Sequence, residues 1–138
     1  VMLQRNGTML YPEGTTLAKT LYITESGKTG HTRLETQVMF LENEQWNFYT
    51  YAWREDQTDA DLVPAEGGLR KIVVDDVLAF GGKREIEWRY HSRSECRTCH
   101  NSRATVLGFV LPQLNAYSGK SGEDHRGQVH GLVALRER

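Results

Sequence analysis

The chain is short of thiols. Only two cysteines occur in 138 residues. That excludes an iron–sulfur centre in its common forms, which needs four thiolates. It also leaves no second cysteine pair to complete a zinc site, so zinc would have to recruit distant histidine or aspartate ligands. An excess of either charge is missing too: 17 basic and 18 acidic side chains leave a formal net charge of −1. Nothing global therefore argues for nucleic acid or a membrane surface as a partner. No apolar run approaches a membrane-spanning length, and no signal-peptide pattern opens the chain. Three prolines and no low-complexity tract argue against an internal linker or a disordered tail. No internal repeat is visible. The length suits a single domain, 1–138, with a real core.

Both thiols sit in one motif, Cys96-Arg97-Thr98-Cys99-His100. This is Cys-x-x-Cys-His, the attachment box of c-type haem. Each thiol adds across one vinyl group of the porphyrin, and the two thioethers are reached from one helical turn. His100 is then held under the ring and can give its imidazole to the iron as proximal ligand. The expected cofactor is one covalent haem c. A Cys-x-x-Cys dithiol is the other reading, but it prefers a βαβ, thioredoxin-like setting that this sequence does not offer. Haem of this type is attached outside the cytoplasm, so the location expected is periplasmic or extracellular. The missing signal and the abrupt ends then fit a module excised from a longer protein.

The first 90 residues pattern as β structure. After the turn signal Tyr11-Pro12-Glu13-Gly14, Thr16 to Thr24 alternates, with Leu17, Lys19, Leu21 and Ile23 on one face. Thr32 to Leu41 places Leu34, Thr36, Val38 and Phe40 together. A turn at Asn43-Glu44 leads to Gln45–Trp53, with Trp46 and Phe48 on one side and Tyr49, Tyr51 and Trp53 on the other. Glu55 to Gly68 is acidic and irregular. It fails the calcium-loop pattern, lacking the sixth-position glycine and twelfth-position glutamate, and reads as a solvated loop with Asp caps. Leu69 to Val74 and Lys83 to Tyr90 are two further strands. Ser94 is placed to cap a short helix carrying the box, with Glu95 in its first turn. Val106–Leu114 reads as a strand or irregular packing, and Gly127–Arg138 as a final helix. The fold expected is mainly β, sandwich-like, over 1–90, with a smaller, partly helical haem-attachment part over 91–138.

The second axial ligand decides the chemistry: Met raises the potential, a second His lowers it, and a vacant position opens gas or peroxide chemistry. No Met follows Met39. The distal candidates are His130, which a helix could present inward, and Met9, next to the first β segment. His91 lies too close before Cys96 to reach the far face, and His31 sits in a polar loop. Lys19 shares a face with Leu17, Leu21 and Ile23, and needs a partner if buried. It could pair a haem propionate, or snorkel to solvent. Arg89, Arg93, Arg97 and Arg103 crowd the box, and Arg93 and Arg103 are the guanidinium candidates for propionates. Trp88, Tyr90 and Phe109 could supply a dry wall around the haem.

Several stretches resemble a module of large secreted bacterial proteins described as diheme c-type cytochromes, or as cytochrome domains beside sugar-dehydrogenase-like domains. They are Tyr11-Pro12-Glu13-Gly14-Thr15 with Lys19-Thr20, Arg33-Leu34-Glu35-Thr36, and Tyr49-Thr50-Tyr51-Ala52-Trp53 with Gln57-Thr58-Asp59-Ala60. Trp88-Arg89-Tyr90 through the haem box, and Leu107-Gly108-Phe109 to Pro112-Gln113-Leu114-Asn115, complete the likeness. It covers most of the chain and is most specific at the haem box. It implies electron transfer between an extracytoplasmic redox enzyme and an acceptor, with a redox protein or domain as partner. Any second haem of such relatives would lie outside this chain. Two other functions fit the same residues. One is a five-coordinate haem sensor or peroxidase-like enzyme. The other is a carbohydrate- or partner-binding β-sandwich with ancillary haem, using Trp46, Tyr49 and Tyr51 as a platform.

Overall fold

A computed structural model describes residues 2–3, 9–101 and 106. The chain divides into two compact units, Glu13–Cys99 and the terminal segments Val1–Pro12 with His100–Arg138. In the terminal unit, strands β1 (Met2–Leu3) and β2 (Met9–Leu10) pair antiparallel. This small ladder has no alternation long enough to be read from sequence.

The unit Glu13–Cys99 is mainly β. Strands β3 (Thr16–Ile23), β4 (Thr32–Glu42), β5 (Gln45–Trp53) and β6 (Ala60–Leu62) form one antiparallel sheet in that order. Strands β7 (Gly68–Asp75) and β8 (Lys83–Tyr90) form a separate hairpin. Helix α1 (Arg93–Cys99) follows β8. Among the described residues the fold is mainly β, as the patterning predicts, and helix α1 after β8 is the described portion of the partly helical segment expected over 91–138. Strand β6 lies inside the stretch expected to be irregular, so that expectation is corrected at Ala60–Leu62. Three residues, two of them exposed, gave no periodic signal.

Chain reversal between β4 and β5 takes two residues, Asn43 and Glu44, at φ 51° and 60°. Two successive left-handed residues give the turn whose twist suits a two-residue hairpin. The β4 face needs correcting. The strand carries one extra residue where Leu21 pairs Glu35 but Tyr22 pairs Arg33. Such a bulge shifts the alternation of side chains. Leu34 and its neighbour Glu35 are therefore both buried, at 0% and 1% exposure. Beyond the bulge the inward set is Glu35 and Leu41, while Thr36, expected to share Leu34's face, instead bonds Thr20 and the Trp53 indole.

Among the described residues, the buried apolar side chains are Leu34, Leu41, Phe48, Val63, Ile72 and Tyr90. Period-2 alternation explains most of them. Phe48 and Thr50 turn inward on β5, Ile72 on β7 and Tyr90 on β8. Hydrogen bonds join the four-stranded sheet and the loop after β3 to the β7–β8 hairpin. Ser26 N–H donates to the Val73 carbonyl at 2.9 Å, and an Arg70 guanidinium N–H to the Trp53 carbonyl at 3.0 Å.

Candidate functional site

Helix α1 carries both cysteines, and the sequence around it fixes where it starts. Ser92 is the N-cap. Its Oγ accepts the Glu95 N–H at 3.2 Å, and the Glu95 carboxylate accepts the Ser92 N–H at 2.9 Å. That is a reciprocal capping box, Ser92-Arg93-Ser94-Glu95. Cys96 N–H then donates to the Ser92 carbonyl at 3.1 Å, the first helical bond. The expected cap at Ser94 is thus displaced by two residues. The Ser-x-x-Glu spacing was the signal for it. These hydrogen bonds, with Arg89 and His91 nearby, hold the Glu95 carboxyl below the usual carboxylate range.

Cys96 and Cys99 stand three residues apart on this helix, so their side chains share one face. Both thiols are free, Cys96 half-buried and Cys99 exposed. Burial pushes the Cys96 thiol up, and the negative charges of Glu35, Glu95 and Cys99 add to the rise. A reactive dithiol wants the opposite, a thiol made acidic by its surroundings. The helix ends at Cys99, and His100 follows directly in the chain. A c-type haem asks for two unpaired thiols on one helical turn with an imidazole next in sequence, and these residues fit that demand. Among the described residues, no three His, Cys, Asp or Glu side chains gather as a metal site.

Beside Cys96 lies a residue the sequence did not single out. Glu35 is buried on the β4 bulge. One carboxylate oxygen accepts from Gln37 Nε2 at 2.8 Å, and the other has no hydrogen-bond partner. The Trp88 indole N–H is also buried without a hydrogen bond, though close enough to favour the ionised carboxylate. Burial raises the Glu35 carboxyl above its ordinary range, against the pull of Gln37, His91, Lys19 and Trp88. In sequence, Glu35 looks like one more polar partner in an alternating strand. Only the bulge turns it inward.

No family model, curated protein or solved structure matches this chain.

The remaining candidates are scattered. Arg93 is half-buried in the first turn of α1, with its guanidinium 5.0 Å from the Tyr49 ring centroid and its N–H on the Ala65 carbonyl. Arg89 pairs with Glu95, and Arg97 is exposed. Lys19 is exposed on β3, the snorkelling alternative, yet its charge reaches Glu35. Met9 lies half-buried in β2, where its Sδ accepts the Tyr11 hydroxyl at 3.6 Å. Arg103, Phe109 and His130 lie outside the described residues, as do the segment expected over 106–114, except Val106, and the helix expected over 127–138.

Two further readings can be placed. Three of the acids of 55–61 are engaged locally: Asp59 and Asp61 pair with Arg54, and Asp56 caps the Thr58 N–H at 3.0 Å. That is the solvated, Asp-capped loop expected. The proposed aromatic platform is not one surface. Trp46 alternates onto the Phe48 side of β5, whereas Tyr49 and Tyr51 face the other way. Next to these, Trp53 stacks under the Arg33 guanidinium at 3.6 Å. Among the described residues no helix is long and apolar enough to cross a membrane.

Proposed function

We propose that this chain is a monohaem c-type cytochrome domain that relays single electrons outside the cytoplasm, between an extracytoplasmic redox enzyme and an acceptor. One observation carries the reading: two free thiols on one turn of a capped helix, with a histidine next in the chain. Cys96 and Cys99 would hold the haem through thioethers, and His100 would be the proximal ligand. The haem would supply one-electron chemistry at its iron. The protein's part is attachment and environment. The capping box at Ser92 and Glu95 fixes the helix that presents the thiols. Half-burial of Cys96 keeps one edge of the attachment away from water, while exposed Cys99 leaves the other accessible. On β8, Trp88 is half-buried and Tyr90 buried. Lys19, Arg93 and Arg103 are the cationic candidates for the propionates, and His130 and Met9 for the distal position. The resemblance to secreted diheme cytochrome proteins points the same way.

The test is covalent haem. Protein made together with a haem-attachment machinery should retain haem after denaturation and organic extraction, and give a pyridine haemochrome spectrum of the two-thioether type. Cys96→Ala should shift that spectrum to the single-thioether type, and the Cys96→Ala, Cys99→Ala double variant should lose covalent haem altogether. A folded protein without covalent haem would overturn the proposal. A high-spin reduced spectrum with rapid carbon monoxide binding would move the function to the sensor or peroxidase-like reading.

A further inference from the structure

Glu35 has no part in attaching a haem, yet the fold buries its carboxylate beside the attachment helix. The burial is nearly complete, at 1% exposure. One oxygen is bonded to Gln37 and the other is orphaned. An ionised carboxylate offers about four acceptor sites. Leaving most of them unfilled away from water is costly for the charged form and much less so for the acid. The surroundings pull in both directions. From β3 comes Lys19, whose strand partner is Gln37, so that it sits diagonally across from Glu35. From β5 comes only Ala52, opposite Glu35 and uncharged. The β7–β8 hairpin contributes the unbonded Trp88 indole N–H, and the segment after it contributes His91. From α1 comes Cys96, which feels the Glu35 charge, and that of Glu95 from its own helix. Burial thus opposes the ionised form while Gln37, His91, Lys19 and Trp88 favour it, so a change of one charge nearby shifts the balance between the two forms.

A haem attached through Cys96 would bring such a change of charge at its iron. We propose that Glu35 is the proton-exchanging partner of the haem, gaining a proton when the attached haem is reduced and releasing it on oxidation. This rests on the haem reading above. The balance is simple. One electron, from a one-electron protein donor, lowers the iron charge by one. One proton, from bulk water, forms an O–H bond on Glu35. No other bond forms or breaks, and oxidation reverses both. The direction follows from Coulomb's law: the more positive oxidised centre favours the ionised carboxylate, and its reduction favours the acid.

The experiment is a redox titration of the haem-loaded protein as a function of pH, comparing the natural chain with Glu35→Gln. In the natural chain the redox equilibrium should shift by up to tenfold per pH unit, reduction growing harder as pH rises, across the range where Glu35 titrates. Glu35→Gln should lose that dependence while keeping covalent haem. Infrared redox-difference spectra of protein carrying isotope-labelled glutamate give a second readout that needs no variant. A labelled carboxylic-acid C=O band should appear on reduction. A pH-independent equilibrium, a slope that survives in Glu35→Gln, or no labelled band would overturn the proposal while leaving the cytochrome reading intact. Absence of covalent haem from the natural chain overturns both.

Discussion

Changing Ser92 to alanine should loosen the helix that carries the cysteines. The substitution removes the Oγ that accepts the Glu95 N–H at 3.2 Å and bonds the Glu95 carboxylate at 2.9 Å. Losing a serine N-cap costs about 1 kcal/mol. Helix α1 is seven residues long. Isolated helices below roughly 12–15 residues are marginal in water, so α1 depends on its cap and its packing. About 1 kcal/mol is about a fivefold change in an opening equilibrium. Haem would staple the helix independently, so the assay belongs on haem-free protein. Native-state hydrogen exchange should show the Cys96 amide, whose acceptor is the Ser92 carbonyl, exchanging about fivefold faster in Ser92→Ala. Glu95→Gln should cost less, because glutamine can still accept the Ser92 N–H. The cap is also pH-dependent with a defined sign. Glu95 is held below its ordinary range, so its contribution is present above that range and lost as pH falls through its lowered value. Unchanged exchange at Cys96 in Ser92→Ala would refute the reasoning, because α1 would then be held by something other than its box.

Two more outcomes follow from the same unit. Gly67 has φ +89°, and a Cβ there would meet the Tyr90 carbonyl oxygen at 2.4 Å and the Ser92 nitrogen at 3.0 Å. Gly67→Ala should cost on the order of 2 kcal/mol or more, read as a fall in the urea midpoint. Gly30→Ala, equally left-handed at φ +84° but with open space around it, should cost less, and equal losses would refute the steric argument. Burial raises Glu35, so between its folded value and the ordinary glutamate range the folded state binds more protons than the unfolded one. Its contribution to stability should therefore grow as pH falls through that window from above. Urea midpoints measured against pH should show the rise in the natural chain and not in Glu35→Gln. The same pH dependence in both proteins would assign the rise to another group.

The β part was legible because period-2 alternation is a local property. The runs Thr16–Thr24, Gln45–Trp53 and Lys83–Tyr90 each read as a strand, and strands form over Thr16–Ile23, Gln45–Trp53 and Lys83–Tyr90. The turn at Asn43-Glu44 was equally local. What failed depended on partners. The β4 bulge arises from pairing with β3, and no count along β4 alone reveals which residue is extra. Strand β6 is three residues long and exists because β5 offers an edge to pair with. The cap moved from Ser94 to Ser92 because two serines compete, and the one three residues before Glu95 closes the reciprocal box.

The sequence by itself determined the chemistry on offer: two thiols, their spacing, and the histidine that follows them. Covalent connectivity sets that spacing, so no fold can alter it. Tertiary structure alone decided the electrostatic setting. A one-residue bulge rotated Glu35 inward, and the packing of α1 brought Cys96 within reach of its charge. Burial and charge act through space, between residues 61 positions apart along the chain (96 less 35). Reading the chain one residue at a time carries no measure of that distance.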